Sequence, residues 1–470
     1  MFLWLAFACS LCPKTAPATP GAPLPADPVA KAARALPAIP RTAKTGAEVF
    51  GINEALSMPR RWIDRGLLRP EDEGAELQKD AVAVLGLGAH VVRGNSAVYP
   101  YFSQYDIERA NWDLTRLDLW MQTVQDAGLE PIIVLGPWPG TQTASYTDHY
   151  LPTDMSAYLA YVTRLVERYD GDGQDDMPGL KAGVVYWEVD NEPDLHNSAP
   201  PRDGGSKVKP QDFETPEEYA KLLIATSAAI RAASPTAKVL GGGFYNVRSP
   251  SGGAYVQRLV AQPGVLDAID IVSVHCYFDE NSTQPVVQTL AVVHERFPGK
   301  GVWITETGVP AMGSPPEESQ RWQAGMVVAV YGEALAGGAD RVIWHTLADP
   351  PLSEERSRRL PFSTHSLLRV LPPTGAVGEQ ILGPGGKTED KPAGAVYRRL
   401  SGLLATTDPA VYRREDSGEG RMLWTGEGWL LYWGAAVAPE GVVEVTDLRT
   451  GVRGPASGTL EAPVYFHLAR

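Results

Sequence analysis

The 470-residue chain is poor in cysteine, poor in positive charge relative to negative, and without an apolar run long enough to span a bilayer. Its three cysteines, Cys9, Cys12 and Cys276, cannot form a disulfide framework, so a large core rather than covalent staples must hold the fold. Against 56 acidic residues there are 42 basic ones, a net charge of −14, which excludes a basic face for nucleic acid or for anionic lipid. The eight histidines show no zinc-type spacing, and no Gly-x-Ser-x-Gly elbow is present. Gly86-Leu87-Gly88 precedes an apolar run instead of opening a helix after one, and Gly241–Gly243 lacks the Lys-Ser/Thr of a phosphate loop, so both nucleotide readings fail. What the chain does have is apolar bulk (44%, with 12 Trp, 18 Tyr and 10 Phe), which excludes a mainly disordered polymer. With 47 Gly and 40 Pro, many turns must join fairly short elements.

Residues 1–11, MFLWLAFACSL, are apolar but too short to cross a membrane, and they read as the apolar part of an export leader spanning residues 1–12. Leu5-Ala6-Phe7-Ala8-Cys9 resembles a bacterial lipobox, which implies either a lipid anchor at Cys9 or a freely secreted or periplasmic product. No Lys or Arg precedes the run, a departure from both patterns. Residues 13–44 are rich in Pro and Ala and read as an extended tether.

From about residue 45, apolar β-branched runs alternate with amphipathic stretches. The predicted strands are Glu48–Ile52, Ala89–Arg93, Pro131–Leu135, Gly183–Val189, Lys238–Gly242, Ile269–His275, Gly301–Thr305 and Arg341–His345. Helical periods between them include Leu114–Gly128, Met155–Tyr169, Pro216–Ala233, Val286–Phe297 and Glu317–Gly337, with a last helix at Ala395–Leu404. Eight continuous apolar runs separated by helices predict a parallel sheet buried on both faces, closed as a (β/α)8 TIM barrel over residues 45–405. Residues 406–470 lose the helical period and predict a small C-terminal β-sandwich covering one flank of the barrel.

Active sites of parallel barrels sit at the C-terminal strand ends. The fourth strand ends in WEVDNEPD (187–194) and the seventh in WITETGVP (303–310), so Glu192 and Glu306 face each other across the mouth. Two facing carboxyls suit glycosidic-bond cleavage, one giving a proton to the leaving oxygen and the other attacking or stabilising the anomeric carbon. Asn-Glu-Pro at strand four with Thr-Glu at strand seven resembles glycoside hydrolase clan A, the retaining (β/α)8 glycosidases, and within it families 39 and 5. The resemblance implies a carbohydrate substrate with β-linkages, Glu192 as general acid/base, Glu306 as nucleophile and Asn191 bonded to the sugar 2-hydroxyl. It also implies Arg93 beside the nucleophile, Tyr277 donating to it, His275 on the same wall and Trp344 as an aromatic floor. Trp138, after strand three, is a second candidate platform. The polar pair that many clan members carry at the end of strand three is missing from Leu135-Gly136-Pro137-Trp138.

Residues 169–179, YDGDGQDDMPG, bring Asp170, Asp172 and Asp176 into a spacing like the start of a calcium loop, but Lys181 stands where an EF-hand has its glutamate. A solvated acidic turn is the preferred account of them, and no cofactor is otherwise expected. Two further readings stay open: a barrel that binds glycans without cleaving them, and a transglycosylase using the same site.

Overall fold

The computed structural model describes residues 42–56, 63, 68–94, 110, 112–136, 151, 152, 154–194, 215–245, 247–277, 284–311, 316–349, 364–371 and 387–468. Eight parallel strands close into a barrel in sequence order: β1 (Phe50–Asn53), β2 (Val91–Gly94), β3 (Glu130–Leu135), β4 (Tyr186–Val189), β5 (Lys238–Phe244), β6 (Ile271–Tyr277), β7 (Gly301–Gly308) and β8 (Arg341–His345), with β8 returning to β1. Each coincides with a predicted strand to within three residues at either end. The longer described helices around them are α1 (Glu73–Gly86), α2 (Thr115–Asp126), α3 (Met155–Tyr169), α4 (Pro216–Ala233), α5 (Pro250–Val260), α6 (Gln284–Arg296), α7 (Pro316–Ala336) and α8 (Pro392–Leu404). Their ends follow from local chemistry. Thr215 and Glu218 form a reciprocal capping box ahead of α4, with Pro216 at its first position. The Asp154 carboxylate caps α3 by accepting from Ala157 N–H.

The barrel interior is built in layers, because every second residue of a strand points inward. A lower apolar layer consists of Val91, Ile132, Tyr186, Leu240, Ile271, Trp303 and Ile343. Below it, the Arg341 guanidinium stacks 4.4 Å from the Trp303 ring and 4.9 Å from that of Tyr186, and pairs with Glu130. Two residues further along the strands, toward their C-terminal ends, the layer becomes polar: Asn53, Arg93, Glu188, Ser273, Thr305 and His345, all buried. A dry floor thus lies directly beneath a charged layer, where electrostatic interactions are strong.

After β8, short strands Ala348–Asp349, Leu368–Leu371 and Lys387–Asp390 form a three-stranded sheet at the barrel rim. The chain then ends in a six-stranded antiparallel sheet, drawn from Arg413 to Leu468, with a two-stranded sheet (Ala435–Val437 and Thr459–Glu461) on one face. Its other face packs on α7. The Tyr432 ring lies against Gly332, where a Cβ would sit 2.2 Å from the ring. Beside it the buried Glu333 carboxylate pairs with Arg421 and, at 3.6 Å, with Arg414. A close approach at a glycine and a compensated buried charge thus fasten the sandwich to the barrel flank.

The leader, Cys9, the tether up to residue 41 and Trp138 lie outside the described residues. Among the described residues no helix is long and apolar enough to cross a membrane.

Candidate active site

The polar layer is organised around Arg93, which ends β2 and is wholly buried. Its Nε donates to Glu188 Oε2 at 2.5 Å, Nη1 to Glu306 Oε1 at 2.7 Å and to Asn53 Oδ1 at 3.1 Å, and Nη2 to Asn191 Oδ1 at 2.7 Å. One planar fork thereby spans β1, β2, β4 and β7. Glu188 is held in turn by the hydroxyls of Ser273 and, at 3.4 Å, Thr305.

Backbone irregularities aim the two glutamates into this layer. Between β6 and β7 the pairing passes from Val274–Ile304 to His275–Glu306, so β7 carries one extra residue. The bulge lets both Thr305 and Glu306 face inward, where strict alternation would have turned Glu306 into the helical shell. After β4 the chain turns sharply: Asp190 and Glu192 both have left-handed φ, 66° and 58°, an uncommon conformation for residues with a Cβ. Asp190 N–H donates to Leu135 O and Glu192 N–H to Gly242 O, so β3 and β5 brace the turn from both sides. Strand β5 bulges as well, and Gly243 (φ 49°) leaves room there: a Cβ on it would lie 3.0 Å from both Glu188 Oε1 and His275 Nε2.

His275 Nδ1 lies 2.6 Å from Glu192 Oε1 and 3.7 Å from Glu306 Oε2. Ligand-type atoms of Glu192, His275 and Glu306 lie within 4.8 Å of one another. The Tyr277 hydroxyl donates to Glu306 Oε2 at 2.6 Å. Burial on its own would raise the pKa of Glu306, but the positive charges of His275 and Arg93 and the Tyr277 hydrogen bond bring it down to about 2. Burial would lower that of His275, yet the carboxylates of Glu306 and Glu192 raise it above the ordinary histidine value. Tyr277 is pushed well up, first by burial and then by the Glu306 charge, so its phenol stays a donor.

The fold therefore brings together Arg93, Asn191, Glu192, His275, Tyr277 and Glu306. Trp344 does not join them. In β8, Ile343 and His345 occupy the inward phase, and Trp344 points out into the helical shell, fully buried, with its indole N–H donating to His365 O at 2.8 Å. The expected aromatic floor is corrected accordingly: His345 is the side chain that β8 turns inward beside Tyr277, with ring centroids 6.2 Å apart in an edge-on arrangement. Asn53, His345, Ser273 and Thr305 belong to the layer without having been singled out in the sequence. Glu188, inside the fourth-strand motif, belongs to it as the ion-pair partner of Arg93. Cys276 points outward, and burial pushes its thiol up to about 11.

Glu192, His275 and Glu306 offer a cation three donor atoms, but both oxygens of Glu306 already accept from Arg93 and Tyr277. In the acidic turn the oxygens of Asp170 and Asp172 gather with Glu167, whereas Asp176 accepts the N–H groups of Gly171 and Gly173.

Comparison with known proteins points to glycoside hydrolases. The sequence model of glycoside hydrolase family 44 matches residues 116–249, and that of the glycosyl hydrolase catalytic core matches residues 185–347, a span that includes both glutamates. A search of curated proteins gives no match. Among solved structures, the fold is similar to a family 39 glycoside hydrolase from the gut symbiont Bacteroides cellulosilyticus WH2 (TM-score 0.59, 14% identity, covering 90% of this chain and 82% of that one). It is also similar to a conserved exported protein from Bacteroides fragilis (0.61, 12%, 92% and 98%) and to a family 39 β-xylosidase from Caulobacter crescentus (0.52, 16%, 92% and 98%).

The depressed pKa of Glu306 has a consequence for stability. Its ionisation stabilises the fold above the usual glutamate pKa of 4.5, and that contribution is lost as pH falls toward about 2. Glu306→Gln carries no such titration. Calorimetric stability of the unaltered protein relative to this variant should therefore rise from pH 2 to pH 4.5 and level off above. A constant difference across that range would contradict the assignment.

Proposed function

We propose that the chain is a glycosidase of the clan A type, nearest in its motifs to families 39 and 5, and that it cleaves β-linked glycosides with retention of anomeric configuration. The observation that carries this reading is the separation of the two carboxylates. One oxygen of each lies within 4.8 Å of one of the other's, in keeping with the roughly 5 Å spacing of the carboxyl groups in double-displacement enzymes.

Glu306 is the nucleophile. It is ionised at every physiological pH, and Arg93 and Tyr277 orient its two oxygens, leaving a lone pair for the anomeric carbon. Glu192 is the acid/base. His275 Nδ1 at 2.6 Å keeps a proton on this pair, and Glu306's negative charge holds it there. Once the glycosyl-enzyme has formed, Glu192 takes a proton from the incoming water. Asn191, pinned through its oxygen by Arg93, presents its amide N–H to the sugar 2-hydroxyl. That contact strengthens as the oxocarbenium-like transition state develops.

Proton NMR of the sugar first released from an aryl β-glycoside should show the β-anomer, and inversion would refute the mechanism. Glu306→Ala should lose turnover by several orders of magnitude on every substrate, and azide should rescue it as the α-glycosyl azide. Glu192→Ala should lose about 10²- to 10⁴-fold on poor leaving groups and be rescued as the β-azide. Swapped azide products would reverse the two roles.

The apolar leader, the Pro/Ala tether and the Leu5–Cys9 pattern support export of the protein, either secreted, periplasmic or anchored by lipid at Cys9. Mass spectrometry of native material should find a mature chain beginning at Cys9, free or lipidated. An intact Met1 in a cytosolic fraction would overturn this.

A further inference from the structure

His275 is buried, yet only one edge of its ring is bonded. Its Nδ1 meets Glu192 Oε1 at 2.6 Å, while Nε2 has no hydrogen-bond partner among the described residues. That second edge is turned to β5. A Cβ on Gly243 would lie 3.0 Å from His275 Nε2 and 3.0 Å from Glu188 Oε1. The glycine's chain neighbours aside, the next heavy atom is 3.4 Å away and belongs to the same imidazole. The missing side chain therefore leaves a polar notch between a ring nitrogen and a carboxylate oxygen. That oxygen can take another donor. Glu188 Oε2 is held by Arg93, and Oε1 accepts from the Ser273 hydroxyl. Thr305, 3.4 Å from Oε1, has the Ser273 oxygen nearer at 2.5 Å, so a lone pair of Oε1 remains.

Nε2 carries a hydrogen in one protonation state of the Glu192–His275 pair and not in the other. With no proton to give, the pair is a carboxylate accepting from Nδ1–H, and Nε2 is bare. With one proton more, it is a carboxylic acid donating to Nδ1 or a carboxylate beside an imidazolium. In both of these forms Nε2 bears a hydrogen, so Nε2–H marks the form that can act as an acid. Burial opposes that form, as does Arg93, but the charges of Glu306 and Glu192 outweigh them. An enclosed N–H without an acceptor is costly, and so is a bare ring nitrogen without a donor. A carboxylate oxygen can answer only the first need. A water molecule answers both, accepting from Nε2–H or donating to Nε2 while another of its hydrogens stays on Glu188 Oε1.

We propose that the notch at Gly243 is a site for one water molecule, which joins His275 Nε2 to Glu188 Oε1 and supports the acid form of the Glu192–His275 pair. The proposal rests on the glycosidase reading above and deepens it: Gly243 and Glu188 become positioning residues for proton delivery, although neither touches the sugar. The charge on Glu188, fixed by Arg93, is felt at Glu192 through one water and one imidazole.

Gly243→Ala places a methyl group in the notch, at a φ of 49° that alanine adopts with modest strain. Two glycosides of the sugar that the unaltered protein hydrolyses best are compared. The methyl β-glycoside needs the acid, and its kcat/KM should fall roughly 10- to 100-fold in the variant. The basic limb of its pH profile should move roughly one unit lower, because the protonated pair has lost its acceptor. The dinitrophenyl β-glycoside needs no proton donor, and its rate of glycosyl-enzyme formation should stay within about threefold. Equal losses on the two substrates, or an unmoved limb, would overturn the proposal. Two measurements on the unaltered protein hold whether or not the variant folds. A high-resolution crystal structure should show an ordered water within hydrogen-bond reach of His275 Nε2 and Glu188 Oε1, and a direct contact between those atoms would overturn it. Long-range ¹H–¹⁵N NMR should find Nε2 protonated below the basic limb and bare above it, and Nε2 bare on both sides would overturn it equally. A protein that hydrolyses no glycoside would refute the glycosidase reading, while the crystal and NMR results would still decide whether the water site exists.

Discussion

A cation with no access to water is the constraint on which the site depends. Arg93 loses its hydration completely, a cost that geometry has to offset with compensating charge and filled hydrogen bonds. Glu188 and Glu306 supply the charge, and the amide oxygens of Asn53 and Asn191 supply the rest. Because the guanidinium is planar and its donors diverge at fixed angles, satisfying it places four side chains from three other parts of the barrel. A lysine in this position would offer a point charge without the fork. The interaction that makes the layer stable is therefore also the one that arranges it for chemistry. Glu188 takes the purely structural share, while Glu306 keeps one oxygen on Arg93 and the other on Tyr277.

The second requirement is to bring two carboxylates from nearly opposite strands to the same few ångströms. Regular strands do not achieve this. The extra residue in β7 turns Glu306 inward immediately after Thr305, and the left-handed turn at Asp190 and Glu192 swings the other carboxylate back over the mouth. Such conformations are costly and persist where surrounding structure fixes them. Here the fixing groups are the backbone hydrogen bonds to Leu135 and Gly242 and the shared imidazole of His275. The apolar layer beneath, closed by Trp303, Tyr186 and Arg341, excludes water from below and keeps these electrostatic interactions strong.

Much of this was legible before any coordinates. Parallel strands buried on both faces are continuous apolar runs, which is why all eight could be placed, and polar residues at the ends of such runs have little to do except line the mouth. Glu192 and Glu306 were singled out on that basis, and Asn191, Arg93, His275 and Tyr277 followed from the resemblance of the two glutamate motifs. The same property hid the phase of β8. In Arg341-Val342-Ile343-Trp344-His345 apolar residues fall on both faces, so nothing local says which alternate set is inside, and Trp344 and His345 exchange places. Asn53 was invisible for a different reason. Its partner Arg93 is 40 residues away, and the contact exists only because closure of the barrel pairs β1 with β2. The bulges in β5 and β7 leave no clear trace in composition beyond the run of glycines at 241–243.

The account stands or falls on whether Arg93 makes a buried Glu306 an ionised nucleophile. The direct measurement is the pH dependence of covalent inactivation by a 2-deoxy-2-fluoro β-glycoside with a dinitrophenyl leaving group, which needs no proton donor and reads the nucleophile of the free enzyme. With Arg93 in place, the inactivation rate should stay flat through the weakly acidic range, down toward the pKa of about 2. In Arg93→Met the burial remains while one of the counter-charges beside Glu306 is gone, so the acid limb, below which the rate falls about tenfold per pH unit, should move upward from about 2. Superimposable profiles for the two proteins would contradict the account.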